Sequence, residues 1–397
     1  MHATFETPSS PNSQTLLVHG GRDPDRFAGM VNTPFHRGST ILSNTMGEWE
    51  SRKLPDNPMA SYGRFGTPTT RSFETLISNL EGGHRSMAFP SGLSACTHSL
   101  LAFLKQGDHV LVTDSVYGPT RSFVSKFLAR MGIAATFFDP AAGGRIRELI
   151  QPNTRVVFLE SPGSWTFEMQ DVPAIAEQAH RAGAVVIMDN TWATPLFFRP
   201  LDYGVDVSIH AATKYIIGHS DALLGVATAN ADAWPALAAG GHDFGQTAGP
   251  DDLYLALRGL RTMHVRMNQH WDSGVRLAES LLQQPLVERV LHPALPQDPG
   301  HALWRRDFKG ASGLFGVVLR TGDRRVITEI VDRLQLFGIG LSWGGFESLV
   351  LPSEPEIARS VRPCPWNGRM LRIHTGLESV DDLIEDMRQA MQRAARL

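Results

Sequence analysis

Short apolar runs alternate with amphipathic stretches between about residues 80 and 230. Four runs rich in branched residues predict β-strands, at residues 109–113, 155–159, 184–188 and 205–209. The first three are apolar almost throughout, which is typical of parallel strands covered on both faces. The stretches between them predict helices at residues 94–105, 120–131 and 172–182. This alternation indicates an α/β fold with a mostly parallel central sheet.

The pattern changes on both sides of this region. The first sixty residues are polar and rich in Pro and Ser, which predicts an extended arm with one short helix. After about residue 250 the pattern predicts helices at 253–282, 324–336 and 380–397, and strands at 313–319 and 370–374. We therefore expect an N-terminal arm (residues 1–60), a large domain (61–258) and a smaller C-terminal α+β domain (259–397).

Composition narrows the class of protein. The 397 residues carry a formal charge of -3, so no excess of positive charge indicates nucleic acid or an anionic membrane as a partner. With 42% hydrophobic residues the chain is too apolar to be disordered, and its apolar runs are too short to span a bilayer. Two isolated cysteines predict neither disulfides nor a zinc site. Because the first residues do not resemble a signal peptide, we expect a cytoplasmic protein.

Chemically useful side chains follow the predicted strands. In open α/β sheets, ligands bind beyond the carboxyl ends of the strands. Asp114 and Tyr117 follow the first strand, and the next three are followed by Glu160, Asp189 and Lys214. His210 and His219 flank the lysine without a cysteine or carboxylate at ligand spacing, so we expect no metal.

Asp189 and Lys214 are the most informative pair. Taken singly, the aspartate is explained equally well as a helix cap and the lysine as a surface residue with a buried stem. Together they match what pyridoxal phosphate needs: a lysine for the Schiff base and a carboxylate that keeps the pyridine nitrogen protonated. No strand is followed by GxGxxG, and neither GxxxxGK[ST] nor a GxSxG elbow at Ser91 is present.

Three further segments could complete such a site. Gly92 and Leu93 begin a predicted helix, where backbone N–H groups either bind a phosphate or are simply capped by serine. Arg64 lies in a rigid turn, as a phosphate ligand or as a solvated charge. Arg372 lies mid-strand, facing either solvent or a substrate carboxylate.

Several motifs together resemble the Cys/Met-metabolism family of pyridoxal-phosphate enzymes, which includes cystathionine γ-synthase, cystathionine γ- and β-lyases and methionine γ-lyase. The resemblance runs from about Tyr62 to the C-terminal helix, through YGRFGTPT, NLEGG, FPSGLSA, DNTWATP, ATKYIIGHSDALLG and SWGGFESL in family order. Within the family it is most similar to bacterial β-lyases, because Trp343 follows the serine of the last motif.

The resemblance implies a fold and a role for each site residue. It implies the aspartate-aminotransferase type of fold, with Lys214 bound to pyridoxal 5'-phosphate, Asp189 at the pyridinium and Tyr117 stacked on the ring. The phosphate ligands implied are Gly92, Leu93 and Thr213, with Tyr62 and Arg64 from a neighbouring subunit. Arg372, Ser342 and Trp343 are implied to bind the amino-acid substrate, together with Tyr62. Many members have a serine three residues before the lysine, where this chain has Ala211.

The implied activity is β-elimination of L-cystathionine to homocysteine, pyruvate and ammonia, with Lys214 and Tyr117 as catalytic residues. The resemblance also implies a homo-oligomer, usually a tetramer, with the N-terminal arm at the interface. Two alternatives stay open: a γ-synthase or γ-lyase activity, and a cofactor-binding regulatory protein without turnover.

Overall fold

Two β-sheets organise the protein, which is described here from a computed structural model over residues 12–54, 60–354 and 356–397. The first sheet has seven strands in the order β1-β7-β6-β5-β4-β2-β3. β7 is antiparallel to both its neighbours, and the other four pairings are parallel. The strands are β1 (Arg85–Phe89), β2 (His109–Thr113), β3 (Ala134–Phe138), β4 (Thr154–Glu160), β5 (Val185–Asp189), β6 (Val207–His210) and β7 (Gly225–Ala229).

The second sheet has five strands in the order β10-β11-β12-β9-β8. Its pairings are antiparallel except for that of β10 with β11. The strands are β8 (Val287–Leu291), β9 (Leu314–Leu319), β10 (Gly338–Ile339), β11 (Leu349–Pro352) and β12 (Met370–His374).

Helices cover both sheets. The longest, of 32 residues, starts with a proline and two aspartates, residues suited to the first turn of a helix. The bounds are α1 (Ser13–His19), α2 (Met46–Ser51), α3 (Pro68–Glu81), α4 (Gly92–Phe103), α5 (Gly118–Ser122), α6 (Val172–Arg181), α7 (Thr194–Phe197), α8 (Trp234–Asp243), α9 (Pro250–Leu281), α10 (His301–Asp307), α11 (Arg324–Arg333) and α12 (Val380–Ala394). Across the described ranges, no helix is both long and apolar enough to cross a membrane.

The predicted fold class is confirmed, and β2 and β12 have the predicted bounds. Six strands were not predicted: β1, β3 and β7 of the first sheet and β8, β10 and β11 of the second. Those of the first sheet have few branched residues, with none in β1, one in β3 and two in β7. The helix predicted at 120–131 forms, but its middle is not α-helical, because five residues of α-helix pass into a π-helical segment at Phe123–Leu128. The cytoplasmic location and the domain boundaries at residues 60 and 258 stay predictions.

The prediction of one short helix in the first sixty residues is also wrong. Two α-helices, α1 and α2, form within residues 12–54, because Asn12 and Thr45 each accept a backbone N–H of the first turn. Residues 1–11 and 55–59 of the predicted arm lie outside the described residues.

Candidate active site

A cavity of about 240 Å³ lies beyond the carboxyl ends of the first sheet's parallel strands. This is the place where open α/β sheets bind ligands. Eight of the eleven predicted site residues line it: Lys214, Asp189, Tyr117, Gly92, Leu93, Thr213, Trp343 and Arg372. The last two come from the region of the second sheet, so the site is formed where the two sheets meet.

Asp189 is the last residue of β5, and a single residue, Thr191, fixes its carboxylate. Oδ1 accepts the Thr191 backbone N–H at 3.0 Å and the Thr191 hydroxyl at 2.5 Å. The same hydroxyl accepts the Ala211 backbone N–H at 2.9 Å. The other oxygen, Oδ2, has the Cys96 thiol at 3.8 Å, which is a weak donor. Asp189 is therefore held through one oxygen, and its position at the cavity leaves it only half-buried.

Lys214 lies in the turn after β6, four residues beyond the strand. Its Nζ donates to Ser342 Oγ at 2.8 Å and lies 5.2 Å from the centre of the Trp343 ring. Burial, together with the charge of Arg372, lowers the pKa of Lys214 from 10.5 to about 8, although Asp189 acts in the opposite direction. The neutral fraction of this amine near physiological pH is therefore much larger than that of an ordinary lysine, and the neutral form is the one that acts as a nucleophile or a general base.

The N-terminus of α4 faces the Lys214 turn at very close range. Ser91 caps the helix by accepting the Ser94 N–H at 3.1 Å, which leaves the first-turn amides of Gly92 and Leu93 without intrahelical acceptors. A Cβ at Gly92 would lie 2.4 Å from the Ala211 Cβ, so only glycine fits this approach. Free amides and the positive end of a helix dipole suit a phosphate. The nearby Thr213 hydroxyl bonds to the backbone of Leu224.

Arg372 projects from the middle of β12 toward the cavity. Its guanidinium donates to Leu341 O at 2.6 Å and lies 5.2 Å from the centre of the Trp165 ring. Burial lowers the pKa of Arg372 to about 10, so the group still carries its charge at neutral pH. A buried guanidinium bonded to a neutral carbonyl is well suited to bind a carboxylate in its place.

Tyr117 lies at the mouth of the cavity with its side chain 44% exposed. Its backbone N–H donates to Glu160 Oε2 at 2.6 Å. Glu160 is paired in register with Asp189 on the neighbouring strand. Burial, and then the charge of Asp189, raises the pKa of Glu160 well above its usual range. Burial also raises the pKa of the Tyr117 phenol, which is therefore protonated at neutral pH.

Tyr62 and Arg64 do not line the cavity of their own chain. The Arg64 guanidinium donates to His242 O at 3.0 Å and packs 4.4 Å from the centre of the Phe65 ring. Tyr62 is 45% exposed. Both side chains therefore lie on a surface other than the one that lines the cavity.

Three residues that line the cavity were given no role in the sequence analysis: Thr191, Trp165 and Glu160. Thr191 and Glu160 directly follow or end predicted strands, which is the signal that could have found them. Trp165 lies in a loop without such a signal, and it adopts a positive φ of 67°. Its place beside Arg372 depends on the packing of the two sheets.

The residues of the cavity fit pyridoxal phosphate. Only glycine fits at the point where the N-terminus of α4 approaches the Lys214 turn. Four groups meet in the cavity: the Lys214 amine, the Asp189 carboxylate with one oxygen weakly bonded, the Tyr117 ring and this helix N-terminus. Each matches one part of the cofactor: its aldehyde, its ring nitrogen, its ring face and its phosphate. Within the described parts of the chain, no group of three or more His, Cys, Asp or Glu side chains could hold a metal ion.

Comparison with known proteins places these features in a family. The sequence profile of the Cys/Met metabolism PLP-dependent enzymes matches residues 14–392. The chain is 43% identical to cystathionine beta-lyase MetC of Escherichia coli (94% of this chain, 96% of that one). It is 39% identical to an L-alanine/L-glutamate racemase of Wolbachia pipientis (96% and 97%). The crystal structure of metB from Corynebacterium glutamicum superposes with a TM-score of 0.90 at 29% identity (98% and 99%). The chain belongs to the family of Cys/Met metabolism PLP-dependent enzymes.

Proposed function

We propose that this protein is a carbon–sulfur lyase that converts L-cystathionine and water to homocysteine, pyruvate and ammonia, with pyridoxal 5'-phosphate as its cofactor. The observation that carries the proposal is the meeting of Lys214, Asp189 and Arg372 in one cavity. It is supported by the similarity to the Escherichia coli cystathionine beta-lyase over nearly the whole chain.

The cofactor, when bound, supplies an electron sink that stabilises negative charge at the substrate Cα. We propose that Lys214 holds it covalently, that Asp189 keeps a proton on its ring nitrogen, and that Tyr117 stacks on its ring. Gly92, Leu93 and Thr213 bind its phosphate. The fit of Asp189 Oδ2, which has only a thiol at 3.8 Å, supports the second of these roles.

We propose that Arg372 binds the substrate α-carboxylate, with Ser342 and Trp343 shaping the same pocket. When the substrate amine displaces Lys214 from its covalent bond, the lysine is freed as an amine. Its lowered pKa favours the neutral form, which then removes the Cα proton as a base. The Cβ–S bond breaks and the electron pair leaves with sulfur. The departing thiolate takes a proton from the Lys214 ammonium or from the Tyr117 phenol.

We propose that the working unit is a homo-oligomer, at least a dimer and by family resemblance a tetramer. Tyr62 and Arg64 lie outside the cavity of their own chain, which suits residues that reach the phosphate of a neighbour. The arm also exposes large apolar side chains, as oligomer interfaces do. Met30, Val31 and Phe35 are 54%, 61% and 54% exposed.

Product analysis tests the reaction. Incubation of the purified protein with L-cystathionine should yield pyruvate and homocysteine in equal amounts. 2-Oxobutyrate and cysteine would instead identify a γ-lyase. A protein that binds the cofactor but forms no product from any sulfur amino acid would be the regulatory alternative. Boiled protein and the Lys214→Ala variant serve as controls.

Racemisation is a second candidate activity, because the Wolbachia relative is an L-alanine/L-glutamate racemase at 39% identity. Racemisation requires proton transfer at Cα on two faces, and the cavity holds two groups able to exchange protons, Lys214 and Tyr117. Chiral analysis of L-alanine and L-glutamate after incubation tests it. Inverted product formed at a rate comparable to pyruvate formation would make the protein bifunctional.

A further inference from the structure

The loop of residues 341–345 carries two of the proposed substrate-binding residues, Ser342 and Trp343, and three side chains, those of Arg372, Lys214 and His374, form hydrogen bonds with it. Arg372 donates to Leu341 O at 2.6 Å. Lys214 donates to Ser342 Oγ at 2.8 Å. The third bond joins the Gly344 backbone N–H to the imidazole Nε2 of His374 at 3.1 Å.

Two of these three hydrogen bonds involve side chains that the reaction needs elsewhere. Under the proposed function, Lys214 reacts with the cofactor and Arg372 binds the substrate carboxylate. Lys214 then no longer donates to Ser342, and Arg372 must divide its N–H groups between the carboxylate and Leu341 O. The bond from Gly344 to His374 is the one that the chemistry leaves untouched.

The position of His374 suits a fixed anchor. It is the last residue of β12, two residues beyond Arg372, so the two side chains project from the same face of the strand. Its side chain is 1% exposed, and its ring lies 5.8 Å from the Tyr215 ring and 5.2 Å from the His270 ring. Side chains locked by packing on a strand hold a site more firmly than those on a loop.

The neutral imidazole can bond to the loop through Nε2 in either of its two tautomers. With the proton on Nδ1, Nε2 accepts the Gly344 N–H; with the proton on Nε2, it donates to Gly345 O, 3.2 Å away. Burial, and then the neighbouring His270, lowers the pKa of His374 well below its usual range. The neutral form is therefore the one present at neutral pH.

The opposite side of the loop explains why its placement matters. Gly344 has a φ of +83°, and a Cβ there would lie 3.0 Å from Lys214 Cα and 2.9 Å from the Tyr215 backbone nitrogen. The loop thus packs directly on the peptide that carries the lysine. Any movement at Gly344 shifts Ser342 and Trp343 relative to Lys214.

We propose that His374 is a positioning residue, which holds the 341–345 loop in place while Lys214 and Arg372 are engaged with cofactor and substrate. This inference rests on the proposed function, since it concerns substrate binding at that same site. Without His374 the loop should be more mobile in the holoenzyme, and the substrate should bind less tightly, while the covalent bond of Lys214 to the cofactor should survive.

Two variants separate anchoring from general packing. His374→Met keeps the apolar volume and removes the hydrogen bond, whereas His374→Gln places an amide near the former Nε2. One buried hydrogen bond corresponds to about a fivefold change in binding. We expect the KM for L-cystathionine to rise about fivefold in His374→Met with a smaller change in kcat, and to return to within about twofold of wild type in His374→Gln.

Hydrogen exchange in the holoenzyme gives a measurement that needs no turnover. We expect the amides of residues 341–346 to exchange faster in His374→Met than in wild type or His374→Gln. His270→Met is the matched control, because it removes a buried imidazole from the same ring cluster without touching the loop. It should leave the exchange of this loop and the KM unchanged.

Unchanged exchange and KM in His374→Met, or equal effects in His270→Met, would overturn the proposal. If His374→Met does not fold, His374→Asn replaces it, because its amide is one carbon too short to reach Gly344 and should fail where Gln succeeds. A holoenzyme without any β-elimination would refute the proposed function, while loop exchange would still decide the role of His374.

Discussion

Lys214 and Ser342 are joined by a hydrogen bond of 2.8 Å between Nζ and Oγ, although 128 residues separate them in the chain. Lys214 lies between β6 and β7 of the first sheet, and Ser342 lies between β10 and β11 of the second. The amine is thus buried by residues from both sheets, and this burial lowers its pKa to about 8. The reactivity of the lysine depends on how the two sheets pack.

Removal of the Lys214 amine should abolish turnover. Lys214→Ala should lower kcat/KM for L-cystathionine by about 10³-fold or more, because it removes the proposed general base. Any cofactor bound to the Lys214→Ala variant should be lost on gel filtration or dialysis, because no covalent bond retains it. Lys126→Ala is the control, because Lys126 is an exposed lysine of the π-helical segment at Phe123–Leu128. Pyruvate formation by both variants checks the prediction, and substantial activity in Lys214→Ala would remove the lysine from its role.

The sequence allowed prediction of the residues that end strands, but not of those that the two sheets bring together. Asp189 and Lys214 follow apolar runs, so their meeting at one edge follows from parallel topology. Trp165 and His374 are positioned by contacts between segments that are far apart in the sequence. The local pattern of hydrophobic and polar residues does not indicate such contacts. The missed strands β1 and β7 have the same cause, since they contain few branched residues and are buried by helices from other segments, α3, α4 and α8.

Thr191 should matter through the carboxylate that it holds. Thr191→Val keeps the volume but removes the hydroxyl that bonds to Asp189 Oδ1 and accepts the Ala211 N–H. Each such bond contributes about 0.5–1.5 kcal/mol, so the cofactor Kd should rise about tenfold. Thr191→Ser, which keeps the hydroxyl, should stay near wild type. Absorbance titration of cofactor-free protein measures both values, and equal affinity in Thr191→Val and wild type would contradict the prediction.

Gly92 should be intolerant of even one added carbon. In Gly92→Ala the new Cβ would meet Ala211 at 2.4 Å, which forces the α4 N-terminus and the Lys214 turn apart. Overpacking of this kind costs about 1–3 kcal/mol, and it should weaken cofactor binding as well as folding. Gly144→Ala is the matched control, since its Cβ would meet nothing within 4 Å. Thermal unfolding and cofactor titration test the pair, and equal behaviour of the two variants would show that the approach is not tight.

The lowered pKa of Lys214 should set the pH dependence of cofactor uptake. Only the neutral amine can form the covalent bond, and burial lowers its pKa from 10.5 to about 8. The rate of uptake by cofactor-free protein should therefore rise with pH and level off above about 8. Because the charge of Arg372 adds to the lowering, Arg372→Gln should move this midpoint to higher pH. Stopped-flow absorbance measures the rate, and a wild-type rate that still climbs above pH 9.5 would contradict the prediction.

A site shared between two chains predicts recovery of activity when two inactive variants are mixed. Lys214→Ala and Arg64→Ala should each be weak, the first through the base and the second through the phosphate of its neighbour's cofactor. In a mixed dimer one composite site has both residues intact, so random exchange should restore about a quarter of the wild-type activity.

The matched control is a mixture of Lys214→Ala with Asp189→Asn. Both residues line the cavity of a single chain, so every site in this mixture keeps a defect and activity should stay low. Subunit exchange must first be verified, for example with differently tagged chains. Recovery in the first mixture but not in the second would place Arg64 at the site of the neighbouring chain. No recovery in either mixture would mean that each chain completes its own site and that the position of Arg64 beside Phe65 and His242 is its working position. Equal recovery in both would show that the gain does not come from a composite site and would contradict the prediction.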